Sequence, residues 1–144
     1  MIKRFIRRVL GLERRGPVRV PQGRHSITRS AISRGALKVC DVLAQHGHPA
    51  YIVGGAVRDL LLGIRPKDFD VATGARPEQV KPLLRRALII GRRFRLVHVM
   101  MGPETVEVST FRAADNQDAE RDEHGRVLRD NVFGTMEEDA RRRD

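Results

Sequence analysis

The stretch YIVGGAVRDLLLGIRPKDFDVAT, residues 51–73, constrains this chain more than any other. Tyr51, Ile52 and Val53 form a short apolar run of β-formers. Gly54-Gly55 breaks that run, and Ala56 to Leu62 follows as a helix ended by Gly63. Backbone N–H groups at a strand–glycine–helix junction point outward with the helix dipole behind them. Such a junction suits a triphosphate.

A few residues later Asp68 and Asp70 flank Phe69 at the start of a second strand, Phe69 to Ala72. Side chains alternate along a strand, so the two carboxylates face one side while Phe69 and Val71 face the other. At about 7 Å apart along the strand they would repel each other. A hard cation with oxygen ligands resolves that repulsion, and Mg²⁺ characteristically takes one or two carboxylates plus substrate phosphates. Taken singly, Asp-x-Asp can cap a turn and Gly-Gly can simply be tight. In this order and spacing they point to divalent ions held against a nucleotide tail.

The remaining elements are coarser. Leu37, Cys40, Leu43 and Ala44 define a helical stripe ended by Gly47. Pro77 starts another helix carrying Val80, Leu83 and Leu84, in which Pro82 is an awkward interior residue. Phe94 to Met101 and Thr105 to Arg112 alternate as two strands joined through Gly102-Pro103. Glu107 is a lone acid among β-branched neighbours and a candidate third carboxylate; the alternative is an edge-strand glutamate paired with a lysine or arginine. His98 shares a face with Phe94, Leu96 and Met100 and is expected to be packed rather than to transfer protons. Ala113 to Asn131 is a long polar loop with a turn at His124-Gly125. Thr135 and Glu138 then form a capping box that opens a last helix.

A formal net charge of +10 favours a polyanionic partner, nucleic acid before membrane. No run approaches the roughly 20 apolar residues of a spanning helix. The single cysteine, Cys40, excludes an intramolecular disulfide and a cysteine-based zinc cluster. It fits a reducing, cytoplasmic setting. The first two dozen residues carry eight basic residues against Glu13, with Ile2, Phe5, Ile6, Val9 and Leu10 at helical spacing. Such a leader can dock on RNA through Lys3, Arg4, Arg7 and Arg8, lie on an anionic membrane surface, or remain solvated.

The string GGAVRDLLLGIRPKDFDVAT resembles the active-site signature of the class II nucleotidyltransferases, which comprise tRNA CCA-adding enzymes and bacterial poly(A) polymerases. Residues 89–99, IIGRRFRLVHV, resemble the segment that marks the poly(A) polymerases rather than their CCA-adding relatives. EVSTFR at 107–112, LRDNVFGT at 128–135 and EDARRRD at 138–144 are similar to the strand, flexible loop and ribose-recognition motif that follow. The start, MIKRFIRRVLG, is similar to the basic leader of the polymerases.

This resemblance implies an α+β fold, a nucleotidyltransferase (polymerase-beta-like) palm with a small mixed sheet flanked by helices. It also implies two Mg²⁺ ions, with Asp68 and Asp70 as metal ligands and Glu107 as a further catalytic acid. ATP would be the nucleotide and RNA 3′ ends the acceptor. Gly54, Gly55 and Arg58 would hold phosphate oxygens, with Asp59 bracing Arg58 or the helix rather than touching substrate. Arg142, Arg143 and Asp144 would orient the ribose, and Arg92 and Arg93 are candidate RNA contacts.

In the family a helical neck, body and tail follow the head. At 144 residues this chain has room for one small domain. Residues 1–32 are therefore read as leader and linker, and 33–144 as a monomeric head truncated inside a helix. The expected activity is template-independent addition of adenylate, weak or absent in the isolated fragment. CCA addition to tRNA and a non-catalytic RNA-binding fragment are the alternatives.

Overall fold

The computed structural model describes residues 17–113, 120–121, 127–129 and 133–143. Lys3, Arg4, Arg7, Arg8 and Asp144, and with them the leader helix and the His124-Gly125 turn, lie outside the described residues. Helix α1 spans Arg34–Gln45, where Ser33 accepts a hydrogen bond from the Ala36 amide at 3.1 Å and so caps the first turn. Its buried face is Gly35, Ala36, Val39 and Leu43. Cys40 packs at the edge of that stripe and Ala44 is exposed, so the stripe is rotated from the expected Leu37–Cys40–Leu43–Ala44 set. Burial raises the Cys40 thiol to about 11, with Asp41 adding to the rise, and leaves it a packing residue.

Strands β1 (Ala50–Val53), β2 (Asp70–Thr73), β3 (Ala87–Ile90), β4 (Leu96–Met101) and β5 (Glu104–Thr110) form one sheet in the order β1-β2-β5-β4-β3. The β2–β5 pair is parallel and the others antiparallel, which gives the expected mixed sheet. Helix α2 (Gly55–Leu61) joins β1 to β2. A short helix α3 (Pro77–Val80) tightens into a 3₁₀ turn at Lys81–Leu83, because Pro82 has no amide to continue the ladder.

Three corrections to the sequence reading concern boundaries. Ala87–Ile90 is a strand that the sequence reading did not mark out. Phe94 and Arg95 fall in the turn before β4, where Gly91 has φ +97 and a Cβ would overlap the Phe94 carbonyl oxygen. Inside the expected polar loop, β6 (Glu120–Arg121) and β7 (Val127–Arg129) pair as an antiparallel ribbon. Main-chain pairing of that kind is compatible with polar side chains, so composition alone does not mark it.

The two sheet faces differ sharply. On one, Val71, Val97, Val99, Val106 and Val108 pack against Ala36, Val39 and Leu43 of α1, Leu60 of α2, and Val80 and Leu84. On the other, register aligns Val53, Asp70, Glu107, His98 and Leu88 in one row across all five strands. The core therefore lies under one face and leaves the other to carry charge. Helix α4 (Met136–Arg142) closes the described chain.

Candidate active site

The site starts where β1 ends. Gly54 has φ +75 and ψ −148, a conformation that only glycine adopts without strain. A Cβ built there would sit 3.4 Å from Asp70 Oδ2. The glycine turn and the acidic strand are therefore in contact, as the pairing of Val53 with Asp70 requires. Gly55 opens α2, and the Arg58 guanidinium folds back toward it, with Nη2 3.3 Å from where its Cβ would be. Arg58 Nε and Nη2 each donate to Asp59 Oδ1 at 3.2 Å, which is the bracing expected of Asp59.

Asp70 and Glu107 are partners across the parallel β2–β5 pair. Glu107 lies on the central strand and faces His98, with 3.5 Å between Oε2 and Nε2. It is not an edge residue, and among the described residues it pairs with no lysine or arginine. His98 stands half-exposed beside it on the open face. Asp68 precedes β2 and is exposed. Burial and then the Glu107 charge raise the Asp70 carboxyl above its ordinary 3.8; Asp68 adds to the rise and Arg143 opposes it.

Three acids thus act on one another electrostatically, though among the described residues no three acid, histidine or cysteine side chains converge into a closed metal cluster. An all-carboxylate donor set whose repulsion Arg143 only partly offsets fits a hard divalent ion.

Helix α4 brings the arginines. Its capping box forms as expected, with Thr135 and Glu138 exchanging two hydrogen bonds of 3.2 Å. The organising residue is Asp139, only 2% exposed. Asp139 Oδ1 accepts from the Arg112 amide at 3.0 Å and from Arg142 Nε at 3.2 Å, while Oδ2 accepts from Arg143 Nε at 2.7 Å. Burial alone would raise this carboxyl. The Arg143 hydrogen bond, the Arg112 amide and the charges of Arg143 and Arg142 outweigh burial and hold it below 3.8.

Arg143 also donates to Ser109 Oγ at 3.2 Å, tying α4 to β5. Arg142 ends the helix and Arg143 is already extended at φ −91, ψ 158, so the pair sits at the helix end rather than inside it.

Between α2 and α4 lies a cleft of about 660 Å³, lined by Gly54, Gly55, Arg58, Tyr51, Phe111, Arg142 and Arg143 among others. Its floor includes the Tyr51 and Phe111 rings, 6.1 Å apart. Asp70 adjoins the cleft through Gly54. Arg92 and Arg93 are exposed in the β3–β4 turn, at the sheet edge away from β1. The sequence reading missed Asp139, Ser109 and Tyr51 as site residues. Of these, only Asp139 leaves a signal, an acid three and four residues ahead of two arginines.

A mixed sheet with facing acids on its open side and a glycine turn closing on them is a nucleotidyltransferase fold. Comparison with known proteins agrees, and the chain belongs to the Poly A polymerase head domain family, which matches residues 50–144. It is 53% identical to Poly(A) polymerase I of Salmonella typhi over 131 residues, 87% of this chain and 28% of that protein. It is 41% identical to the CCA-adding enzyme of Geobacillus stearothermophilus over 110 residues, 76% of this chain and 26% of the other. The crystal structure of the Bacillus stearothermophilus CCA-adding enzyme in complex with CTP superposes with a TM-score of 0.58 at 38% identity, covering 76% of this chain and 24% of that one. The chain thus spans about a quarter of the length of the relatives it matches.

Proposed function

We propose that this chain is the catalytic head of a template-independent polynucleotide adenylyltransferase, which adds AMP from ATP to RNA 3′ ends. The observation that carries this reading is the contact between Gly54 and Asp70, since it sets a phosphate-binding turn against an acidic pair. Gly54, Gly55 and Arg58 hold triphosphate oxygens through backbone N–H groups and a guanidinium. Arg142 and Arg143, held by Asp139, face the same cleft and orient the ribose, with Asp144 assigned there by resemblance. Asp68 and Asp70 would hold Mg²⁺, with Glu107 beside them.

Two such ions, when bound, acidify the attacking 3′-hydroxyl and stabilise the departing pyrophosphate. In the reaction the 3′-hydroxyl gives up its proton to solvent, its oxygen forms a bond to the α-phosphorus, the α–β phosphoanhydride bond breaks, and pyrophosphate leaves with its electron pair. The glycine turn and Arg58 keep the triphosphate in place beside the acids, and the arginines fix the sugar.

CCA addition is the second reading, favoured by the likeness to the CTP-bound structure. The higher identity to a poly(A) polymerase, 53% against 41%, supports adenylate addition. Purified protein offered ATP or CTP with labelled oligo(A) or tRNA lacking its 3′ end separates the two. Mg²⁺-dependent ATP binding lost in Asp70→Ala, and adenylate incorporated in preference to cytidylate, is the expected result. Cytidylate incorporation into the tRNA would overturn it.

A further inference from the structure

The sheet edge opposite the glycine turn is strongly basic. Residues 74–103 contain seven lysines and arginines against the single acid Glu78, an excess of six within the total of +10. Arg95 is paired with Glu78 at 3.3 Å. Lys81, Arg85, Arg86, Arg92 and Arg93 are all exposed, and among the described residues none of the five forms an ion pair. They bracket β3, with Arg85 and Arg86 before it and Arg92 and Arg93 after it, and β3 is the edge strand.

A second observation gives this edge a direction. Leu88 of β3 is 53% exposed and lies in the same cross-strand row as His98, Glu107 and Asp70. Three strand spacings, about 14 Å, separate β3 from β2 along that row. Along β4 the open face between them carries partly covered side chains, Leu96, His98 and Met100. A band of unpaired cations at one end of an accessible face, with carboxylates at the other, fits a single polyanionic strand whose last sugar reaches the acids. Free phosphate or a lone nucleotide would leave the cations at the far end unused.

We infer that the β3 edge, through Lys81, Arg85, Arg86, Arg92 and Arg93, is a binding track for the phosphodiester backbone of single-stranded RNA, feeding its 3′ end across His98 toward Asp70 and Glu107. This rests on the proposed adenylyltransferase reading. The contacts are to backbone phosphate, so the track is indifferent to sequence and sensitive to salt.

The test is fluorescence anisotropy of a labelled 15-nucleotide RNA across a salt series, with circular dichroism confirming the fold of each variant. The parent chain is compared with R85Q/R86Q/R92Q/R93Q and with R34Q/K38Q, whose charges lie on α1 behind the opposite face. Four lost phosphate contacts lower the slope of log Kd against log salt by about three, at roughly 0.7 per contact, and weaken binding about tenfold or more at low salt. R34Q/K38Q leaves both near the parent values, and Mg·ATP binding is unchanged in the fourfold variant.

An unchanged slope in the fourfold variant, an equal per-charge loss in R34Q/K38Q, or no RNA binding by the parent overturns the track. Retained Mg·ATP binding by the parent then leaves the adenylyltransferase reading standing. Mg·ATP binding that survives Asp70→Asn would instead sink that reading and the track with it.

Discussion

Asp70 and Glu107 stand directly opposite each other in the parallel β2–β5 pair, on the sheet face away from the main hydrophobic core. Two like charges at partnered positions cost stability unless a cation or a proton intervenes. Burial first and the Glu107 charge second raise the Asp70 carboxyl above its ordinary value.

Asp70→Asn is therefore expected to raise the thermal midpoint of the metal-free chain while abolishing its response to Mg²⁺. Thermal melts with and without Mg²⁺ check both halves. Equal Mg²⁺ stabilisation of parent and variant would contradict the assignment.

The same pair sets a pH dependence. An acid whose folded pKa lies above its ordinary 3.8 binds protons more readily when folded. Its contribution makes stability fall as pH rises from 3.8 through the folded pKa, and it is level beyond that. Saturating Mg²⁺ is expected to flatten this part of the profile. Denaturant titrations across the acid range, with parent and Asp70→Asn side by side, isolate it.

Asp139 runs the other way. Its folded pKa lies below 3.8, so its stabilisation is full above that value and lost as pH falls through the folded pKa. Asp139→Ala leaves the Arg112 amide and two guanidiniums without their acceptor, at a cost of about 2–4 kcal/mol. Chemical denaturation measures the loss. Since Arg142 and Arg143 would no longer be held at the cleft, ATP affinity is expected to fall as well.

Gly54→Ala is expected to lose about 1–3 kcal/mol, because φ +75 with ψ −148 is strained for any side chain. The new methyl would also press on Asp70 Oδ2, so Mg·ATP binding falls further than stability explains. Gly63→Ala is the comparison. It too has positive φ but open space around its Cβ, so it costs stability without touching ATP binding. Calorimetric titration of the two variants reads the difference.

Arg58→Gln removes one charge-assisted phosphate contact, worth about 1.5–3 kcal/mol of ATP affinity. Asp59→Asn disturbs an ion pair whose arginine side chain is 73% exposed, and its stability effect stays within about 1 kcal/mol. A stability loss in Asp59→Asn greater than that, or unchanged ATP affinity in Arg58→Gln, would show that the pair is structural.

Much of this arrangement was legible in the chain because its signals are local. Gly54-Gly55 after three β-formers, Gly63 after an apolar helix, and Thr135 three residues before Glu138 each state a backbone geometry within a few residues. The alternation of Asp68, Phe69, Asp70 and Val71 likewise assigns each side chain to a face, and Phe69 and Val71 are buried while Asp68 is not. What failed was also local in cause. Pro82 marked where the helix is interrupted, but the four-residue strand Ala87–Ile90, following two arginines, was too short to separate from its neighbours.

By itself the sequence determined the glycine turn, the alternating acids, the capped last helix and the excess of positive charge, because each depends on neighbours in the chain. Tertiary structure alone decided that Glu107 is central rather than at an edge, that it faces both Asp70 and His98, and that Asp139 is buried against Arg142, Arg143 and the Arg112 amide. Strand order and register join residues tens of positions apart, and no periodicity within one segment encodes which other segment it will pair with.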